Sequence, residues 1–81
     1  MVGTMGRTQQ INSHLAARIR RRRIELDVPQ RVLAEALGVT PQAFSKLEAG
    51  KTTISARALS SVASILATPV GFFFEGLRSS R

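Results

Sequence analysis

The stretch Gln30–Gly50, QRVLAEALGVTPQAFSKLEAG, decides the fold. Val32, Leu33, Ala34 and Leu37 give the i, i+1, i+4 stripe of a helix with one buried face. Gly38 follows the last of them, and its ease at positive φ lets the helix stop and the chain reverse. Val39 is placed to plug the corner. Thr40 is a good N-cap, and Pro41 suits the first helical position, where its missing N–H costs nothing. Phe44 and Leu47 form the buried side of the second helix. Pro41, Gln42, Ala43, Ser45 and Lys46 are left facing outward or on the flanks. Two short helices therefore meet at a tight corner, with the first bracing the second.

Working outward, Asn12 or Ser13 can cap a first helix that runs to about Leu26, with Leu15, Ile19 and Leu26 on one face. Asp27 sits at its exit, and Asp tolerates the left-handed conformation better than most residues. Val28 and Pro29 set up the helix that begins at Gln30. The next helix spans Pro41 to Glu48 and stops at Gly50, and Lys51 to Ile54 is a loop. Ser55 caps a fourth helix that buries Leu59, Val62, Ala63 and Leu66. Pro69 starts a short fifth helix through Phe74, with Gly76 as a stop. No strand pattern competes, so the expectation is an all-α, compact five-helix domain. Residues 1–12, with two glycines, two methionines and no periodicity at their start, are expected as a flexible N-terminal arm. Residues 13–77 form the domain, and residues 78–81 form a short tail.

The composition narrows the chemistry. Eighty-one residues that are 43% apolar support one modest core. There is no cysteine, hence no disulfide framework and no thiolate metal site. His14, the sole histidine, is read as an exposed or capping residue rather than a ligand. With no cysteine nucleophile and no histidine near a plausible serine, catalysis is not expected, nor is any cofactor. The longest apolar stretch, Ile65 to Phe74, is broken by Thr68 and Pro69 and is too short to span a bilayer. The chain is expected to be soluble and cytoplasmic. A net charge of +7 and a pI near 11.8 point to a polyanionic partner, of which nucleic acid is the commonest.

With these residues in view, the chain resembles the phage repressor/Cro (Xre-type) helix-turn-helix family, whose fold is that of the lambda repressor DNA-binding domain. The likeness covers roughly residues 13–77. It rests on RIRRRRIELDVPQ, on Gln30-x-x-Leu33-Ala34-x-x-Leu37-Gly38-Val39-Thr40, on Phe44-Ser45-Lys46-Leu47-Glu48-Ala49-Gly50-Lys51, and on the tail Val70-x-Phe72-Phe73-Phe74-Glu75-Gly76. The resemblance implies base readout by Gln42, Ala43, Ser45 and Lys46. Phosphate-backbone contacts are implied for Gln30, Lys51 and Thr52. It further implies a partly buried ion pair between Arg23 and Glu48. The sequence departs from the pattern at Arg22, often apolar, at Asp27, often glycine, and at Pro41, which removes a side-chain donor from the first recognition position. Gln42 is left as the candidate for adenine and Lys46 for guanine.

The run Arg20-Arg21-Arg22-Arg23 does not form one contact surface, since four consecutive helical residues spread around the cylinder. Phe72, Phe73 and Phe74 likewise cannot all face inward, and Phe72, or whichever ring faces out, is expected to be exposed unless a partner covers it. The resemblance implies a homodimer with this tail, and Phe72 in particular, at its interface. The expected function is a sequence-specific, double-stranded DNA-binding transcriptional regulator acting on a palindromic operator. The same fold serves antitoxins, with a toxin as protein partner, and controllers of restriction–modification operons. A protein-interaction module without DNA binding is the alternative of a different class.

Overall fold

The computed structural model describes residues 2–77, and side chains from residue 9 onward. Five helices follow one another: α1 (Val2–Glu25), α2 (Gln30–Leu37), α3 (Pro41–Glu48), α4 (Ala56–Ile65) and α5 (Val70–Phe74). The described residues contain no strand, so the all-α reading agrees with the structure. α2 packs against both α3 and α4, α1 against α3 and α5, and α4 against α5.

Each helix contributes to one core. Leu15, Ala16 and Ile19 come from α1, Leu33 and Ala34 from α2, and Phe44 from α3. Ile54 comes from the loop, Leu59, Val62 and Ala63 from α4, Leu66 from its end, and Phe73 from α5. Phe44, Phe73, Ile19, Leu33 and Val62 are the largest side chains shut off from water. An aromatic from α3 and another from α5 thus fill the space that short helices leave between them.

Sequence-local chemistry sets the ends of these helices. Thr40 Oγ1 accepts from Ala43 N–H and Ser55 Oγ from Ala58 N–H, each at 3.0 Å, which satisfies an otherwise unpaired donor. At the far ends of α1 to α4 one motif recurs. The left-handed residue and its successor donate back into the last turn from Asp27 and Val28, Gly38 and Val39, Gly50 and Lys51, and Ala67 and Thr68.

Three expectations are corrected. α1 begins at Val2 and runs through residues 2–12, so neither Asn12 nor Ser13 caps it. Asn12 is unavailable as a cap because its carboxamide is bonded to the loop after α3. Leu26 is 40% exposed rather than buried. It lies a turn beyond Arg22 and Arg23, whose bonds to Thr68 and Glu48 close that end of the core. Val39 is 41% exposed. Backbone bonds close the corner instead, from Gly38 N–H to Glu35 O and from Val39 N–H to Ala34 O. The tail expected over residues 78–81 lies outside the described residues.

Candidate nucleic-acid interface

α3 has one side in the core and one in water. Phe44 is fully buried and Leu47 half-buried, whereas Gln42, Ala43, Ser45 and Lys46 are all exposed. The division follows from the helical period, since Phe44 and Leu47 are three residues apart and share a face. Thr40 and Pro41 start the helix at the corner, so Gln42 lies in its first turn, between Pro41, which has no N–H, and Ala43, whose N–H is taken by Thr40 Oγ1. Such an end favours an anion.

The other end of α3 is fixed by Glu48, whose side chain is 2% exposed. Arg23 grips it with Nε to Oε2 at 2.5 Å and Nη2 to Oε1 at 3.1 Å. The remaining guanidinium nitrogen, Nη1, donates to Val28 O at 2.8 Å. Gln30 Nε2 donates to Glu48 Oε1 at 2.9 Å. The structure thereby brings together Arg23, Gln30 and Glu48, which ties α1, the start of α2 and the end of α3 to one carboxylate. In this arrangement Gln30's amide nitrogen is engaged within the protein rather than offered outward. A buried carboxylate is tolerated only with such partners.

The arginine run divides as the helical period requires. Arg21 pairs with Glu25 at 3.2 Å, and Arg22 reaches both Glu25 and Thr68 Oγ1, the latter at 3.0 Å. Arg23 belongs to Glu48. Arg20 is exposed and has no ion-pair partner among the described residues, as is true of Arg31, Lys46, Lys51 and Arg57. Positive charge is therefore free on the second residue of α2, on α3, on the loop behind it and in the first turn of α4. From the run that looks most basic in the sequence, Arg20 adds to it, while Arg21, Arg22 and Arg23 are paired within the protein.

Lys51 and Thr52 are exposed on the loop that leaves α3. Asn12, on α1, holds this loop. Its Nδ2 donates to Thr52 O at 2.7 Å and to Gly50 O at 3.3 Å, and its Oδ1 accepts from Ile54 N–H at 2.8 Å. Sequence reasoning missed this role. A signal was present: Asn12 stands three and seven residues before Leu15 and Ile19, on the stripe that goes into the core.

Phe72 is half-buried rather than free. The Arg18 guanidinium stacks over its ring at 4.1 Å and donates to its carbonyl at 2.9 Å, and Arg22 lies 5.6 Å from the same ring. Phe73 meets it edge-on with centroids 5.3 Å apart. The ring that faces out is Phe74, 43% exposed, beside Val70 at 42% one turn earlier. His14 is half-buried and donates from Nε2 to Glu75 O at 2.8 Å, a contact between the middle of α1 and the end of α5. Among the described residues no His, Cys, Asp and Glu group is placed to hold a metal, and no helix is long and apolar enough to cross a membrane.

Comparison with known proteins adds a family. Residues 14–71 match the family described as a helix-turn-helix domain, which takes in the corner, both helices around it and α4. An uncharacterized HTH-type transcriptional regulator of Sinorhizobium medicae (strain WSM419) is 39% identical over 75 residues, 93% of this chain and 54% of that protein. An uncharacterized transcriptional regulator in the ATPase CF(0) region of Rhodospirillum rubrum is 39% identical over 67 residues, 83% of this chain and 62% of that one. The chain spans about half to three-fifths of the length of these curated relatives. No solved structure gives a significant match.

Proposed function

Because the chain belongs to the helix-turn-helix domain family, we propose that it is a non-enzymatic transcriptional regulator of the repressor/Cro (Xre) type. It reads double-stranded DNA as a homodimer on a palindromic operator. The observation that carries this reading is the two-sidedness of α3. Its apolar side is locked by Phe44 and Glu48, while Gln42, Ala43, Ser45 and Lys46 stand in water with no competing partner. A helix held this way can enter a major groove without disturbing the core behind it.

In the proposed complex Gln42 reads an adenine through its paired N6 and N7 edge, and Lys46 reads guanine O6 or N7. Ala43 and Ser45 are small enough to let the helix approach closely. Lys51, Thr52 and Gln30 follow the phosphates, with Gln30 exchanging its bond to Glu48 for one to the backbone. Phosphate contacts supply salt-sensitive affinity and base contacts supply discrimination. The dimer presents two copies of α3 to half-sites about one helical turn apart.

The test is selection of bound fragments from a random duplex pool, followed by titration of the consensus. The expected result is a palindromic consensus whose preference at one base pair relaxes in Lys46→Ala, by about 1–3 kcal/mol of discrimination. Uniform weakening across all sequences would assign Lys46 to the backbone instead. Failure to bind any duplex at low salt would overturn the reading in favour of a protein-interaction module.

A further inference from the structure

We propose that Asn12 is a positioning residue for the nucleic-acid contact. From within α1 it sets the loop over residues 50–54 in its binding shape before any DNA arrives. The inference rests on the DNA-binding reading above and extends it to a residue outside the helix-turn-helix itself. Three observations carry it.

First, Asn12 is 9% exposed and spends both ends of its carboxamide on this one loop. Nδ2 takes the carbonyls of Gly50 and Thr52, and Oδ1 takes the N–H of Ile54. Secondly, the loop has little else to define it. It has no regular structure, and its other backbone bonds among the described residues are Gly50 N–H to Leu47 O, at 3.1 Å, and Lys51 N–H to Lys46 O, at 3.0 Å, both where the chain leaves α3. Thirdly, the arrangement divides the loop into two sides. Carbonyls 50 and 52 turn toward α1 and Ile54 is buried, while the side chains of Lys51, Thr52 and Thr53 are exposed.

Gly50 assists the docking. Its φ is +77°, and a Cβ there would stand 3.4 Å from Ser13 Oγ and 3.5 Å from Ser13 Cα, so the loop lies directly on α1. Asn is suited to position 12 because one planar group must both donate and accept at a single place. A leucine would strand two carbonyls and an N–H, and an aspartate would set a carboxylate against two carbonyl oxygens. A loop ordered beforehand spares the complex the entropy of ordering it on contact.

The test compares four full-length chains on random-sequence duplex over a salt series: wild type, Asn12→Ala, Lys51→Ala and the double variant. Far-UV circular dichroism reports folding and hydrogen exchange reports on the Ile54 amide. With the helices intact, Asn12→Ala is expected to weaken binding by about threefold to tenfold. It should also flatten the slope of log K against log salt by about 0.9 per subunit, the loss of one phosphate contact. The Ile54 amide should exchange faster, and Lys51→Ala should add little in the Asn12→Ala background, because the two changes remove the same contact. Wild-type affinity and slope in a folded Asn12→Ala chain, or fully additive effects, would overturn the proposal while leaving DNA binding standing. A wild-type chain with no salt-dependent duplex binding would overturn the DNA reading and this one together. Should Asn12→Ala fail to fold, Asn12→Ser, which keeps one hydroxyl to bond the loop, carries the same comparison with the same deciding outcomes.

Discussion

Glu48 shows how much one side chain can hold. Its carboxylate is the meeting point of Arg23 and Gln30, and it is nearly closed to water. Glu48→Ala would leave the Arg23 guanidinium, 12% exposed, without its counter-charge. The expected cost is about 3–5 kcal/mol, a large part of the stability of a small domain, read as a shift in the urea midpoint. A shift below about 1 kcal/mol would show that Arg23 finds another partner or water. Ala67 poses the opposite case. It sits at φ +50° after α4, a conformation costing an L-residue about 1–2 kcal/mol, whereas glycine there gives up about 0.5–1 kcal/mol in chain entropy. Ala67→Gly is therefore expected to raise stability by somewhat less than 1 kcal/mol, and thermal melts of the two chains decide it. Nothing in the sequence marks Ala67 as left-handed, because alanine favours helix and carries no turn signal. Asp27, at φ +60°, was legible at the same motif only because Asp is tolerated there.

Among the elements, the best-read were those whose boundaries are written in side-chain chemistry. Thr40 and Ser55 cap where their hydroxyls suggest, Gly38 and Gly50 end α2 and α3, and the buried stripe of α4 is the one its apolar spacing describes. The outward face of α3 was legible for the same reason, since a 3.6-residue period separates Phe44 from Gln42 and Lys46 without any tertiary information. α1 was less legible. Its start could not be found because Asn12 and Ser13 look like caps, and only contact with a loop some forty residues away shows why they are not. Phe72, Phe73 and Phe74 are chemically identical, so which ring faces out depends on Arg18, again a tertiary fact. The end of α1 carries a pH signature. Bonds from Arg22 and then Arg21 hold the Glu25 carboxyl below its ordinary value of 4.5. A carboxyl whose folded value is lowered stabilises above its unfolded value, and that contribution fades as pH falls through the lowered one. The melting temperature of Glu25→Gln should lie slightly below wild type at neutral pH, and the gap should close below about pH 4. A gap that persists undiminished to about pH 2 would place its origin elsewhere than in the carboxylate charge.

At the scale of the whole molecule, the apolar ridge of Val70 and Phe74 on α5, both around two-fifths exposed, suits the proposed dimer. Phe74→Ala should leave circular dichroism unchanged but shift sedimentation toward monomer and weaken operator binding. Phe72→Ala should act mainly on stability, because its ring is packed under Arg18 and Arg22. A wild-type chain that sediments as monomer at tens of micromolar, with operator affinity untouched by Phe74→Ala, would end the dimer proposal. The seam between the first helix and the last has one more result. His14 reaches Glu75 O, Arg18 reaches Phe72 O and Glu75, and Arg22 reaches Thr68, so three side chains of α1 wait for partners encoded some forty-six to sixty-one positions later. During synthesis these bonds can form only once residues 68–75 have left the ribosome, so the seam between α1 and α5 is the last of the α1 contacts to become available.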